Sequence, residues 1–207
     1  MIRNKKEKRE VAAIMQRLYQ RRLTTCSGGN VSLKSDNGHI FITPSQIDKA
    51  AVKEEQIIEL DAEGKNLTPG LKASMETAMH LQIYRDRPDV NAVVHAHPLK
   101  ATAWACSKQE LKNNLCGEAR YFLGEIVRVP YDLMGSNTLA DSVSRCLGNA
   151  HAALLNNHGA ITTGGRLFEA YDRMEVLEYL AELLFAVRQI GAPMFLSDNQ
   201  LRKLDEF

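Results

Sequence analysis

Two of the six histidines in this chain, His95 and His97, stand one residue apart in the strand-like run NAVVHAHP, residues 91–98. In an extended chain, residues i and i+2 face the same side. The two rings therefore project together, with Ala96 turned away between them. Their Cα atoms would lie about 6.5–7 Å apart. From that separation two imidazoles can converge on one ion, with Zn–N bonds of about 2.0–2.1 Å. An H-x-H pair also arises by chance in a chain with this many histidines. Taken alone, it leaves a metal site and an ordinary strand end both open. Pro98 stops the strand and suits a helix start, so the pair sits where sites tend to be built.

His158, in LLNNHGAITTG, is the third histidine of interest. It follows an apolar run and precedes Gly159, a residue that permits unusual backbone angles. By itself it reads equally as a strand-end histidine bonded to water. Joined to His95 and His97, it would complete a three-histidine site with an open position, the arrangement of catalytic rather than structural zinc. His39 reads as an exposed hairpin residue, His151 as a surface residue, and His80 as a packed, hydrogen-bonded one. Glu76 is the carboxylate within sequence reach, in the first turn of a helix, where acidic residues are also favoured by the helix dipole. The loop Ser27-Gly28-Gly29-Asn30 offers bare amides that can cradle an anion or simply turn the chain. Ser45, at a helix start after Pro44, and Ser74 add hydroxyls.

The elements that must position these groups follow from hydrophobic periodicity. Residues 4–22 read as an amphipathic helix, with Val11, Ile14, Met15 and Leu18 on one face. Residues 31–34 and 39–42 form a hairpin about Asp36-Asn37-Gly38. A short helix is expected from Ser45, then a strand, turn and strand over IIELDAEGKNL. Helices are expected at 73–86, 98–107, 136–148 and 166–190, and strands at 92–95, 126–129, 152–155 and 160–163. Residues 108–125 read as irregular. Residues 197–207 read as a short charged helix or a mobile tail. Strands that often come as hairpins, mixed with helices, predict a largely antiparallel sheet with helices packed on it.

The totals narrow the function class. A chain of 207 residues is most simply one domain, 1–207. A net charge of +1 gives no electrostatic case for nucleic acid. No apolar run approaches the roughly 18 residues of a membrane span, and the basic start has no apolar segment behind it. Cys26, Cys106, Cys116 and Cys146 show no close pairing and read as reduced thiols of a cytoplasmic protein.

Read together, five segments resemble the class II aldolase/adducin family, most closely in the pattern of its fuculose-phosphate aldolases. They are SGGNVSLK (27–34), ITPSQIDK (42–49), ASMETAMHLQIYRDRPDVNAVVHAHP (73–98), VPYDLMGS (129–136) and LLNNHGAITTGG (154–165). They come in the family's order and span nearly the whole chain. The resemblance implies an α/β fold, with a central, mainly antiparallel sheet between helical layers, assembled as a homotetramer. It implies that His95, His97 and His158 hold one divalent metal per chain, usually zinc. It implies that Glu76 is the catalytic acid/base, and that Asn30, Ser45 and Ser74, with the backbone of Gly28 and Gly29, hold the substrate phosphate. The implied activity is cleavage of a phosphorylated ketose to dihydroxyacetone phosphate and an aldehyde through a metal-stabilised enediolate. An epimerase or a dehydratase would use the same parts. Two positions depart from the pattern. Met75 stands where many aldolases carry a serine before the glutamate, and Gln46 where they usually have glycine. The family's catalytic tyrosine has no clear counterpart. An adducin-like binding module, the reading from another class, would not need three histidines and Glu76.

Overall fold

The computed structural model describes residues 4–206. Its centre is β4 (Ala92–Ala96), the strand that carries His95. β4 pairs with β1 (Asn30–Lys34) on one side and β7 (Gly159–Gly164) on the other. Outward from β1 lie β2 (Ile40–Ile42) and β3 (Ile58–Leu60); outward from β7 lie β6 (Ala152–Leu155) and β5 (Ile126–Val129). The seven strands form one sheet in the order β3-β2-β1-β4-β7-β6-β5. Every pair is antiparallel except β5 with β6. A central strand is buried on both faces and needs apolar residues at every position. All five residues of β4 are buried.

Alternation along β4 divides the core in two. Ala92, Val94 and Ala96 enter one apolar cluster, with α1 (Lys5–Gln20), α3 (Leu99–Ala105), α4 (Gly117–Leu123) and α6 (Leu167–Ile190). Val93 enters the other, with α2 (Thr77–Asp86) and α5 (Asn137–Leu147). The sheet thus lies between two helical layers, as the family resemblance implied. The α6 stripe of Tyr171, Met174, Leu177, Leu180 and Leu184 is fully buried. At about 1.5–3 kcal/mol for each large apolar side chain, this helix is a main support of the first layer. At the N-terminus of α5, the Ser136 hydroxyl accepts the Leu139 amide proton, the capping expected there.

Several expectations are corrected. No helix starts at Ser45: its amide donates to the Lys72 carbonyl at 3.0 Å, and Gln46 is left-handed at φ 54°. The helix expected over 73–86 begins only at Thr77, because Ala73 bridges to Pro44 in extended pairing. Glu76 is therefore the residue before the helix, not in its first turn. Residues 108–125 are not wholly irregular. They contain α4, whose Ala119 and Leu123, four apart, bury against α6. The second strand expected within IIELDAEGKNL shrinks to a bridge between Leu60 and Asn66. His39 is half-buried rather than exposed, with Nδ1 2.8 Å from Glu59. His151 is half-buried too, its Nδ1 3.0 Å from the Thr163 hydroxyl. Of the two readings of the C-terminal segment, the helix forms, as α7 (Asp198–Asp205), pinned by the pair Arg120–Asp205; residue 207 lies outside the described residues. The four cysteines are free thiols.

Leu180→Ala should lower the unfolding free energy by about 2–5 kcal/mol, measured by urea denaturation. A loss below about 1 kcal/mol would show that α6 is not packed as described.

Candidate metal centre and active site

His95 and Asn30 face each other across the β1–β4 ladder, and Ala160 lies on β7 beside β4. His95 is fully buried, and its Nδ1 is 2.9 Å from the Ala160 carbonyl oxygen. A carbonyl can only accept, so Nδ1 carries the proton and Nε2 is directed into the site. This is the second contact that metal-binding histidines almost always make. His97 follows the end of β4, and its Nε2 stands 3.2 Å from Nε2 of His95. A four-coordinate ion with bonds of about 2.0–2.1 Å holds neighbouring ligand atoms about 3.3–3.4 Å apart. His158 sits in the turn between β6 and β7; its ring lies 4.8 Å from that of His95 and 5.5 Å from that of His97. One ligand atom from each of the three falls within 4.8 Å of the others. Among the described residues, buried Nδ1 of His158 has no hydrogen-bond partner. Three convergent imidazoles, one with its tautomer fixed, fit a divalent ion.

Glycines make room for this cluster. A Cβ on Gly28 would meet His97 Nδ1 at 2.8 Å, and one on Gly159 would meet His97 Cδ2 at 2.6 Å. The His97 ring is therefore held in a slot that only glycines leave open. Gly159 does not serve through an unusual backbone angle, as its position after His158 suggested. The left-handed residue of that turn is Asn157, at φ 54°. Gly29 is left-handed, φ 67°, and a Cβ there would strike the His95 carbonyl oxygen at 2.8 Å.

The Glu76 carboxylate closes the cluster. One oxygen lies 3.0 Å from His95 Nε2 and accepts from the Asn30 amide at 2.9 Å; the other lies 3.1 Å from His158 Nε2. Burial pushes this carboxyl up. The positive charge of His95, with the close approach of both rings, overcomes that and holds it well below the usual carboxylate range. Burial lowers His95, but the Glu76 charge outweighs it and raises the ring. His97 falls to about 3, through burial and then the positive potential of His95 and His158, so it stays neutral with a lone pair to offer.

Behind Asn30 runs a buried chain of polar groups. His80 Nε2 is 2.5 Å from Asn30 Oδ1, and His80 Nδ1 is 2.6 Å from the Ser32 hydroxyl, which is 2.6 Å from the Tyr84 hydroxyl. Asn30 donates to Glu76, so its other end accepts and His80 Nε2 must donate. Burial, then the charge of His95, lowers His80 to about 3. The ring is neutral, Nδ1 accepts from Ser32, and Tyr84 donates to Ser32. Each link fixes the next, and the last fixes which way the Asn30 amide points.

In front of the cluster lies a pocket of about 330 Å³. Gly28, Gly29, Asn30, Ser45, Ser74, Glu76, His97 and His158 all line it, while His95 lies sealed behind. Sequence reasoning did not single out Lys49, Met134 or Asn157, which line it too. Nothing in the local pattern distinguishes Lys49 from a surface lysine. Met75 lines the pocket beside Glu76, two-thirds exposed.

The family profile described as "Class II Aldolase and Adducin N-terminal domain" matches residues 9–185. The chain belongs to this family. Class II aldolases are metal-dependent lyases, and the chain is an enzyme of that type. It is 41% identical over 175 residues to L-fuculose phosphate aldolase of Methanococcus vannielii, covering 84% of this chain and 93% of that one. It is 32% identical over 191 residues to 3-oxo-tetronate 4-phosphate decarboxylase of Haemophilus influenzae, covering 90% of each. Among solved structures, an L-fuculose 1-phosphate aldolase superposes with a TM-score of 0.87 at 28% identity, covering 97% of this chain and 95% of that one.

The slot around His97 generates a test for this class II aldolase-family chain. Gly159→Ala should displace the ring, cost about 1–3 kcal/mol of stability and weaken divalent-ion binding about 10-fold or more. Denaturation and metal titration would measure both. Unchanged ion affinity would show that the slot does not position His97.

Proposed function

We propose that the protein is a metal-dependent aldolase that cleaves a phosphorylated ketose, of the L-fuculose 1-phosphate kind, into dihydroxyacetone phosphate and an aldehyde. The observation that carries this reading is the Glu76 carboxylate, 3.0 and 3.1 Å from two histidine rings at the base of a polar pocket. In this reading His95, His97 and His158 hold one divalent ion, with zinc the first candidate for an all-imidazole set. When bound, the ion supplies Lewis acidity to the oxygens of the reacting fragment.

The chain's own residues do the rest. Asn30, Ser45 and Ser74, with the amides of Gly28 and Gly29, would hold the phosphate away from the reacting carbon and so fix the substrate's orientation. Retro-aldol cleavage removes the proton of the hydroxyl β to the ketone. The C–C electron pair then moves toward the carbonyl, the aldehyde leaves, and a proton returns to the carbon of the remaining fragment. Glu76, ionised and aimed by Asn30, is placed to take up the hydroxyl proton and then to return a proton to that carbon, so that it ends the cycle ionised again. No oxidant or reductant is needed.

The Haemophilus relative supports a second reading. Loss of carbon dioxide from a 3-oxo acid phosphate breaks a C–C bond toward a ketone in the same electronic sense and leaves a carbon for Glu76 to protonate. Epimerisation or dehydration of a sugar phosphate would draw on the same groups. A single domain over 1–207, a homotetramer and a cytoplasmic place in carbohydrate metabolism complete the proposal. Among the described residues, no helix is long and apolar enough to cross a membrane. Light scattering should give four chain masses; a monomer at micromolar concentration removes the assembly from the reading.

A panel of phosphorylated ketoses and 3-oxo acid phosphates, followed by NMR, separates these outcomes. Cleavage to dihydroxyacetone phosphate is expected. Carbon dioxide release without cleavage of any ketose would replace the aldolase with the decarboxylase. Purified protein should hold about one divalent ion per chain. Glu76→Gln should keep that ion and lose turnover by about 10²-fold or more; full turnover in this variant would take Glu76 out of the reaction.

A further inference from the structure

Among the described residues, three lysine and arginine side chains are buried: Lys8, Lys49 and Arg87. Lys8 faces Glu59 at 3.8 Å, and Arg87 pairs with Asp89 at 2.7 Å. Lys49, only 1% exposed, is in no ion pair among the described residues. Among the described residues its amine makes one hydrogen bond, to the Pro44 carbonyl oxygen at 2.8 Å. An ammonium has three protons to give, and taking it out of water costs several kcal/mol unless a counter-charge is supplied. Such a group is not explained by stability.

Its location supplies the explanation. Pro44 immediately precedes Ser45, so the amine is held against the peptide unit that leads into that hydroxyl residue. The Lys49 amide also donates to the Cys26 carbonyl at 2.8 Å, tying the loop 44–49 to the loop that carries Gly28 and Gly29. Lys49, Ser45, Ser74 and Asn30 line one pocket. Apart from Glu76 and the histidines, the other polar side chains that line it are neutral hydroxyls and amides. Met75, on the same wall, has no proton to donate.

We propose that Lys49 is the cationic contact of this pocket, pairing its ammonium with the phosphate of the substrate beside Ser45 and Ser74. The inference rests on the phosphate reading given above and adds to it the one full positive charge that the neutral donors lack. Charge-assisted hydrogen bonds are roughly twice as strong as neutral ones, so Lys49 sets the preference for a phosphorylated over an uncharged substrate. Burial lowers the amine to about 8, which leaves it protonated at neutral pH, ready for an anion.

The test is calorimetric titration of the metal-loaded protein with inorganic phosphate, comparing wild type with Lys49→Met and Lys49→Gln. Gln keeps a donor for the Pro44 carbonyl and Met keeps the apolar stem, so at least one variant should fold, as checked by thermal melting. The phosphate Kd should rise about 10-fold or more in either folded variant, and KM for L-fuculose 1-phosphate should rise with it, more than kcat falls. Wild-type phosphate binding that is unchanged in the folded variants overturns the role of Lys49 and leaves the phosphate reading standing. A wild type that binds no phosphate, and turns over a ketose equally well with and without its phosphate, overturns the underlying reading and Lys49 with it.

Discussion

The site depends on keeping one carboxylate ionised inside a protein wall. A buried carboxyl tends to pick up a proton and become inert as a base. Glu76 escapes this through contacts on both oxygens: His95 and Asn30 on one, His158 on the other. Each of those partners is held from behind. The Ala160 carbonyl orients His95, and the sequence of His80, Ser32 and Tyr84 orients Asn30. Remove the outer groups and the inner ones lose their direction, because an amide or an imidazole can otherwise turn over at little cost. The buried polar content of α2 and β1 is thus in the service of a single charge.

The same economy explains the chain's glycines. A three-imidazole cluster needs rings stacked edge to face at close range, and the His95 and His97 rings meet at 81° with centroids 4.9 Å apart. Backbone must come nearer to these rings than a Cβ allows. Gly28 and Gly159 permit that approach from opposite sides of His97, one from the loop before β1 and one from the first residue of β7. Their value to the site is steric, and only Gly29 adds a backbone angle that other residues resist.

Much of this was legible in the sequence. Alternation and helical spacing gave β4, the β1–β2 hairpin, α1, α5 and α6 within a residue or two, since burial on two faces leaves a strong periodic trace. The facing of His95 and His97 followed from strand geometry alone. The failures share a cause. At Ser45 and at residues 73–76, pairing between two distant segments, Pro44 with Ala73, overrode local helix propensity. Helix α4 was missed because its only signal is one Ala119–Leu123 pair, which acquires meaning once α6 is there to cover it. That Glu76 and His158 converge could be expected only through the family pattern, because the approach of residues 82 positions apart leaves no local mark. Lys49 left none at all: burial of a lysine is a tertiary fact.

One property of the sheet bears on how the histidine cluster behaves when the molecule breathes. Asn30, His95 and the Ala160 carbonyl belong to the three middle strands, with His97 and His158 at their ends, while β3 and β5 form the rims. Thermal opening begins at margins with few neighbours and reaches the middle only near global unfolding. Amide protons along β1, β4 and β7 should therefore be the last to exchange with solvent, and the histidine cluster shares their lifetime. The periphery can fray and reclose many times while the centre stays assembled.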